Sequence, residues 1–165
     1  WVHFMYLDNN EFIDQFKDIV LNKRKDQFFS ADLSRRSIAK LSLKKYLAKI
    51  DLLICSTKEL PSLFKTNKCK EFNKFSIEKL KTLSKTITYI VVHNKHKSLC
   101  FIDGKIIEVD NQNIVNNKNF HITGAGDTYT AALINEFIIN KLIDNKSISK
   151  AHRIASKFCA GNIKI

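Results

Sequence analysis

Apolar positions along this chain follow two rhythms that take turns. Residues 2–7, 28–33, 51–55 and 86–93 are short runs rich in Val, Ile, Leu, Phe and Tyr, the composition of buried strands. Between them apolar residues recur every three or four positions, as on one face of a helix. They are Phe12, Ile13, Phe16, Ile19 and Val20, then Leu41, Leu43, Tyr46 and Leu47, then Leu63 with Phe64, and finally residues 76–83. Lys23-Arg24-Lys25 would close the first of these helices at the negative end of its dipole. Ser56 or Thr57 can cap the entry that follows the third strand, with Pro61 tolerated in the first turn. Residues 98–102 and 105–109 are joined by Asp103-Gly104, a dipeptide that favours a hairpin. Helices over 128–140 and 147–160 follow, and residues 65–74 and 111–119, rich in Lys and Asn, read as loops. Strands alternating with helices predict an α/β fold: a mostly parallel sheet covered on both faces, with one antiparallel hairpin near its C-terminal end.

Length and composition narrow this picture. At 165 residues and 44% hydrophobic content the chain can bury the core of one domain, or of part of a larger one. It opens on Trp1 inside an apolar run and stops at Ile165 shortly after Gly161, so it reads as a piece of a domain that is incomplete at both ends. Cys55, Cys69, Cys100 and Cys159 are widely spaced and form no C-x-x-C pair, which points to buried free thiols in a reducing, cytoplasmic setting. No run approaches the roughly 18 apolar residues of a membrane span. A formal charge of +12 raises nucleic-acid binding, but the Lys and Arg residues are scattered without an aromatic-interleaved module, so an anionic small molecule suits the charge better.

The candidate chemistry gathers at Thr123-Gly124-Ala125-Gly126-Asp127, which holds two of the chain's four glycines and leads straight into a helix. A helix that starts this way aims unpaired N–H groups and the positive end of its dipole at whatever lies in front of it. An anion fits there, with Asp127 beside it as a base; the plainer role for Asp127 is to cap the helix. Of the histidines, His93 and His96 sit in a Lys-rich turn and read as solvated, His152 as lying on a helix surface, and His3 as a satisfied strand residue.

With these elements in order, the chain resembles the ribokinase-like, or pfkB, family of small-molecule kinases. The resemblance rests on His121-Ile122-Thr123-Gly124-Ala125-Gly126-Asp127 followed by small residues in a helix, set against the family's D-[TS]-x-G-A-G-D. The strand at 51–55 followed by Ser56-x-x-Glu59 looks like the family's strand and N-x-x-E element. The run Ala31-Asp32-Leu33-Ser34 looks like the strand that brings a polar residue near the transfer centre.

The resemblance implies a three-layer α/β/α, Rossmann-like fold, with residues 1–165 as the C-terminal part of one kinase domain whose N-terminal portion and lid are absent. It also implies ATP and Mg²⁺ as cofactors, and a sugar or nucleoside as phosphoryl acceptor. Asp127 would be the general base, Thr123, Gly124, Ala125 and Gly126 the phosphate cradle, and Ser56, Glu59, His93 and Lys95 the nucleotide side, with Glu59 reaching Mg²⁺ through water. Because the family's lid often mediates dimers, the full-length form admits a homodimer. Ser56 in place of Asn, His93-Asn94-Lys95 in place of T-x-G, and His121 in place of an acidic residue carry the alternative of a catalytically degenerate relative kept for nucleotide binding or regulation.

Overall fold

A computed structural model describes residues 1–5, 10–32, 34, 44–114 and 123–161. Its strands are β1 (Val2–Phe4), β2 (Phe29–Asp32), β3 (Leu52–Ser56), β4 (Tyr89–His93), β5 (Lys97–Ile102) and β6 (Lys105–Asp110), which form one six-stranded sheet in that order. β1 pairs with β2, and β2 with β3, both parallel, with Val2 opposite Phe29 and Asp32 opposite Ile54. β4 to β5 and β5 to β6 are joined by connections too short for a parallel crossover, so the sheet closes as an antiparallel meander. The single hairpin expected from Asp103-Gly104 is thus one of two. Both residues of that turn have positive φ, 48° and 73°, the type I′ geometry that matches strand twist. The Gly104 amide is held in turn by Ser84 Oγ at 3.0 Å.

The chain divides into two compact units, one of residues 1–92 with 101–106, the other of residues 93–100 with 107–165. In the first unit Phe29, Ala31, Leu52, Leu53 and Ile54 of the central strands are fully buried, as a sheet covered on both faces requires. Helix α1 (Asn10–Leu21) covers this sheet with Ile13, Phe16 and Val20, and Phe4 meets Phe16 edge-on with ring centroids 4.8 Å apart. Phe12 and Ile19, expected on the same face, are 53% and 43% exposed, because the buried stripe is narrower than the apolar one. Helix α1 ends before Lys23, so the basic triplet does not close it. Lys23 instead bonds the Asp51 carboxylate and, at 3.0 Å, the Lys49 carbonyl, while Asp51 also accepts the Phe29 amide at 2.7 Å. One ion pair therefore ties the end of α1 to the starts of two strands.

Helix α2 (Lys44–Leu47) supplies Leu47 to the core. A 3₁₀ turn (Thr57–Glu59) leads into α3 (Leu60–Leu63), and α4 (Lys74–Leu83) is capped by Asn73, whose side chain accepts from the Ser76 amide at 2.9 Å. Leu41, Leu43, Tyr6, Leu7 and Leu33 lie outside the described residues, as do His121 and Ile122. All four cysteines are buried free thiols. Among the described residues no helix is long and apolar enough to cross a membrane.

In the second unit α5 (Ala125–Asn140) and α6 (Asn145–Cys159) pack along each other. Asp144 starts α6 by accepting from the amide and the hydroxyl of Ser147, both at 2.8 Å, and these bonds hold its carboxyl below the ordinary value. The inner face of α6 is formed by Ile148, Ala151, His152 and Cys159. His152, expected on the surface, is only 3% exposed.

Candidate phosphate site

The second unit holds the glycine-rich turn. Gly124 is the N-cap of α5 and adopts φ +85°, the left-handed conformation that strains any residue with a Cβ. A Cβ there would also stand 3.3 Å from the Phe158 ring of α6. Gly124 is therefore required by the fold itself. From it the helix begins at once, with the Thr128 amide bonding the Gly124 carbonyl at 2.9 Å. The amides ahead of Thr128 have no carbonyl four residues back within the helix, as at any helix start.

Gly126 is different. It lies inside α5, its φ is not positive, and a Cβ built on it meets nothing within 4 Å among the described residues. Glycine in a helix costs up to about 1 kcal/mol relative to alanine. Among the described residues neither packing nor backbone geometry calls for it, which leaves close approach of a ligand to its Cα as the use for the glycine. Of the residues beside it in the chain, Thr123 and Asp127 are exposed and Ala125 is half-buried. Asp127 is the third residue of the helix, not its cap, so its carboxylate stands in the first turn beside the amides.

These two glycines should respond oppositely to the same change. Gly124→Ala is expected to destabilise the protein by about 1–2 kcal/mol. Gly126→Ala is expected to leave it unchanged or up to about 1 kcal/mol more stable, while weakening anion binding at the turn. Urea unfolding of both variants alongside phosphate-ligand titration checks this. Gly126→Ala binding ligand as the parent does would remove the reason given for that glycine.

The other expected nucleotide-side residues are placed as follows. Lys95 and His96 are exposed in the turn between β4 and β5, which Asn94 braces by accepting from the His96 and Lys97 amides at 2.8 and 2.9 Å. Asn111 adds a bond to the Lys95 carbonyl at 2.9 Å. His93, expected to be solvated, is half-buried: its ring stacks on Tyr129 with centroids 4.4 Å apart at 26°. Burial, and then the neighbouring His152, lower the His93 pKa to about 4, and burial lowers His152 to about 4. The Tyr129 hydroxyl lies 2.7 Å from Ser98 Oγ, which is itself 2.8 Å from His152 Nε2. Burial pushes the Tyr129 phenol well above its usual value, against the Ser98 bond, which lowers it. This buried polar cluster went unread in the sequence, where only the spacing of Ser98, Tyr129 and His152 on three inner faces could have signalled it.

In the first unit Ser56 and Glu59 form a capping box: Ser56 N donates to Glu59 Oε2 at 2.9 Å, and the Ser56 hydroxyl bonds the same oxygen. Ser56 rather than Thr57 is the cap. Burial first, then the Glu59 and Asp32 carboxylates, raise the Cys55 thiol, which places both acids near the carboxyl ends of β2 and β3. Among the described residues no group of three or more His, Cys, Asp or Glu side chains is arranged to hold a metal.

Solved structures share this fold. The adenosine kinase of Sinorhizobium meliloti is similar over 98% of this chain and 49% of its own, at 18% identity and TM-score 0.72. The fructokinase of Vibrio cholerae O395, solved with fructose, ADP and calcium, is similar over 94% of this chain and 52% of its own, at 18% identity and TM-score 0.67. A pyrophosphate-dependent kinase of the ribokinase family, complexed with a pyrophosphate analog and myo-inositol, is similar over 89% and 53%, at 23% identity and TM-score 0.65. The architecture is thus the ribokinase-like α/β fold, of which this chain spans about half the length of each neighbour. The family model for pfkB carbohydrate kinases matches residues 8–163, and the chain belongs to that family. No curated protein matches the chain.

Proposed function

We propose that the intact protein carrying this chain is an ATP-dependent phosphotransferase acting on an alcohol group of a sugar or nucleoside, with residues 1–165 as the later part of one kinase domain. The observation that supports this reading most directly is Gly126, a helical glycine whose Cβ would meet nothing within 4 Å among the described residues, next to an exposed Asp127. Phosphoryl transfer needs in-line positioning and donors aimed at developing charge more than covalent chemistry from the protein. The amides of Gly124, Ala125 and Gly126 are the donors, and the Thr123 hydroxyl adds a contact. Asp127 takes the proton from the acceptor hydroxyl as that oxygen attacks. Bound ATP would supply the γ-phosphoryl group, its bond to the β-phosphate oxygen breaking as the acceptor oxygen bonds phosphorus and ADP leaving, and Mg²⁺ would neutralise the phosphate charge. Glu59 and Ser56 serve the metal and nucleotide side, together with His93 and Lys95, and the buried thiols accord with a cytoplasmic setting.

A second reading draws on the same residues. The Glu59 carboxylate already serves its own capping box, and the His93 ring is already stacked on Tyr129. Both favour a relative that binds nucleotide without turning it over. A panel decides between them: ATP and pyrophosphate as donors, with sugars, nucleosides and myo-inositol as acceptors, assayed with the intact protein. Pyrophosphate and myo-inositol are included because a neighbour of this fold is complexed with myo-inositol and a pyrophosphate analog. A phosphate ester from ATP and a sugar or nucleoside is the expected product. Tight ADP binding with no product from any pair would establish the second reading instead.

A further inference from the structure

We propose that Tyr129, Ser98 and His152 form a positioning clamp that fixes the rotation of the first turn of α5, and with it the aim of the cradle amides and of Asp127. The proposal deepens the kinase reading and rests on it. Tyr129 follows Asp127 by two residues, roughly 200° around the helix, so the two side chains leave on nearly opposite sides. Asp127 is exposed and Tyr129 is 2% exposed, as that geometry requires. The side of the turn away from the ligand space is therefore where it can be held.

Three elements hold it there. Ser98 of β5 bonds the Tyr129 hydroxyl at 2.7 Å, His152 of α6 bonds the same serine oxygen at 2.8 Å, and His93 at the end of β4 stacks on the phenol ring. Phe158 of α6 closes against Gly124 one turn earlier. Packing alone could be supplied by Phe, Ala and Leu at these positions, without the cost of burying polar groups. What a connected polar cluster adds is direction: a stacked ring can slide or turn, whereas a hydroxyl bonded into a chain fixes where the ring must sit. The titratable groups on the cluster are His93 from β4, Cys100 from β5, Tyr129 from α5 and His152 from α6. Burial keeps both imidazoles neutral near pH 7, so the same pattern of bonds persists there.

The test uses the intact protein with Tyr129→Phe, which removes one oxygen and keeps the ring, and Ser98→Ala, which unlinks both partners. Ser84→Ala is the control, because it removes another buried serine hydroxyl, the one that holds the Gly104 amide. Two readouts are taken: amide hydrogen exchange across residues 123–130, and kcat against acceptor KM for a donor–acceptor pair active in the panel. Exchange in that turn is expected to rise about tenfold in both clamp variants and not in the control. With it kcat should fall about tenfold while acceptor KM stays within about twofold. Exchange no faster than in Ser84→Ala overturns the clamp, and so does faster exchange with unchanged kcat. Should the parent protein turn over no pair, the kinase reading fails by itself, and the exchange readout alone decides whether the turn is held this way.

Discussion

Asp127→Asn is expected to lower kcat by about 10³-fold or more, leaving donor affinity equal or slightly tighter. The variant keeps the size and hydrogen-bonding shape of the side chain but cannot accept a proton from an attacking hydroxyl. Asp127 is exposed in the first turn of α5, and asparagine keeps its hydrogen-bonding shape, so the fold is expected to hold. Losing a negative charge near the positive end of the helix costs about 0.3–1 kcal/mol, a small shift in melting temperature. Donor phosphates are anionic, so removing a neighbouring carboxylate relieves repulsion and should not weaken their binding. Steady-state kinetics with donor titration by calorimetry separates these effects. Retention of more than about a tenth of the parent kcat would show that the proton leaves by another route.

Acidification from pH 7 to 4 is expected to destabilise the protein steeply, and the histidines set the window. His93 and His152 have pKa values of about 4 in the folded protein, against 6.5 as the unperturbed value. Above 6.5 both states carry neutral rings, and the histidines contribute no pH dependence. As pH falls below 6.5 the unfolded chain takes up protons that the buried cluster refuses, so stability falls until the folded rings protonate near 4. Roughly 3 kcal/mol or less per ring is at stake, reduced by coupling between the two. His3, lowered by burial against a raising bond from Ser30, acts in the same direction. Urea unfolding at pH 7, 5.5 and 4.5 reads the slope, and the double variant His93→Phe with His152→Gln should flatten it. A slope unchanged in that variant would mean that carboxylates, not this cluster, govern acid unfolding.

Much of the fold was legible because its causes are local. The runs around Leu52 and Ile90 could only be buried strands, and Asp103-Gly104 met the positive-φ demand of a two-residue turn. Ser56 and Glu59 satisfied a helix start within three residues of each other. What failed depended on partners distant in the chain. Lys23 looked like a helix-closing charge, yet Asp51 lies close enough to take it. His152 read as a surface residue on its charged helix, yet Ser98 gives it a buried partner. His93 read as solvated beside Lys95, yet its ring stacks on Tyr129.

The same division runs through the candidate site. By itself the sequence determined that residues 123–127 turn into a helix, because glycine content, helix onset and an acidic residue all sit within five consecutive positions. It could not distinguish the two glycines. Only the tertiary structure did so, since Gly124 combines a left-handed φ with a close approach of Phe158 from α6, whereas a Cβ on Gly126 would meet nothing within 4 Å among the described residues. Likewise the sequence named Asp127, but the groups we propose to brace the turn that carries it are a serine hydroxyl 31 residues before Tyr129 and an imidazole 54 residues beyond that serine. Backbone conformation follows from near neighbours, whereas burial, neutral histidines and a fixed helix rotation follow from packing that no local stretch encodes.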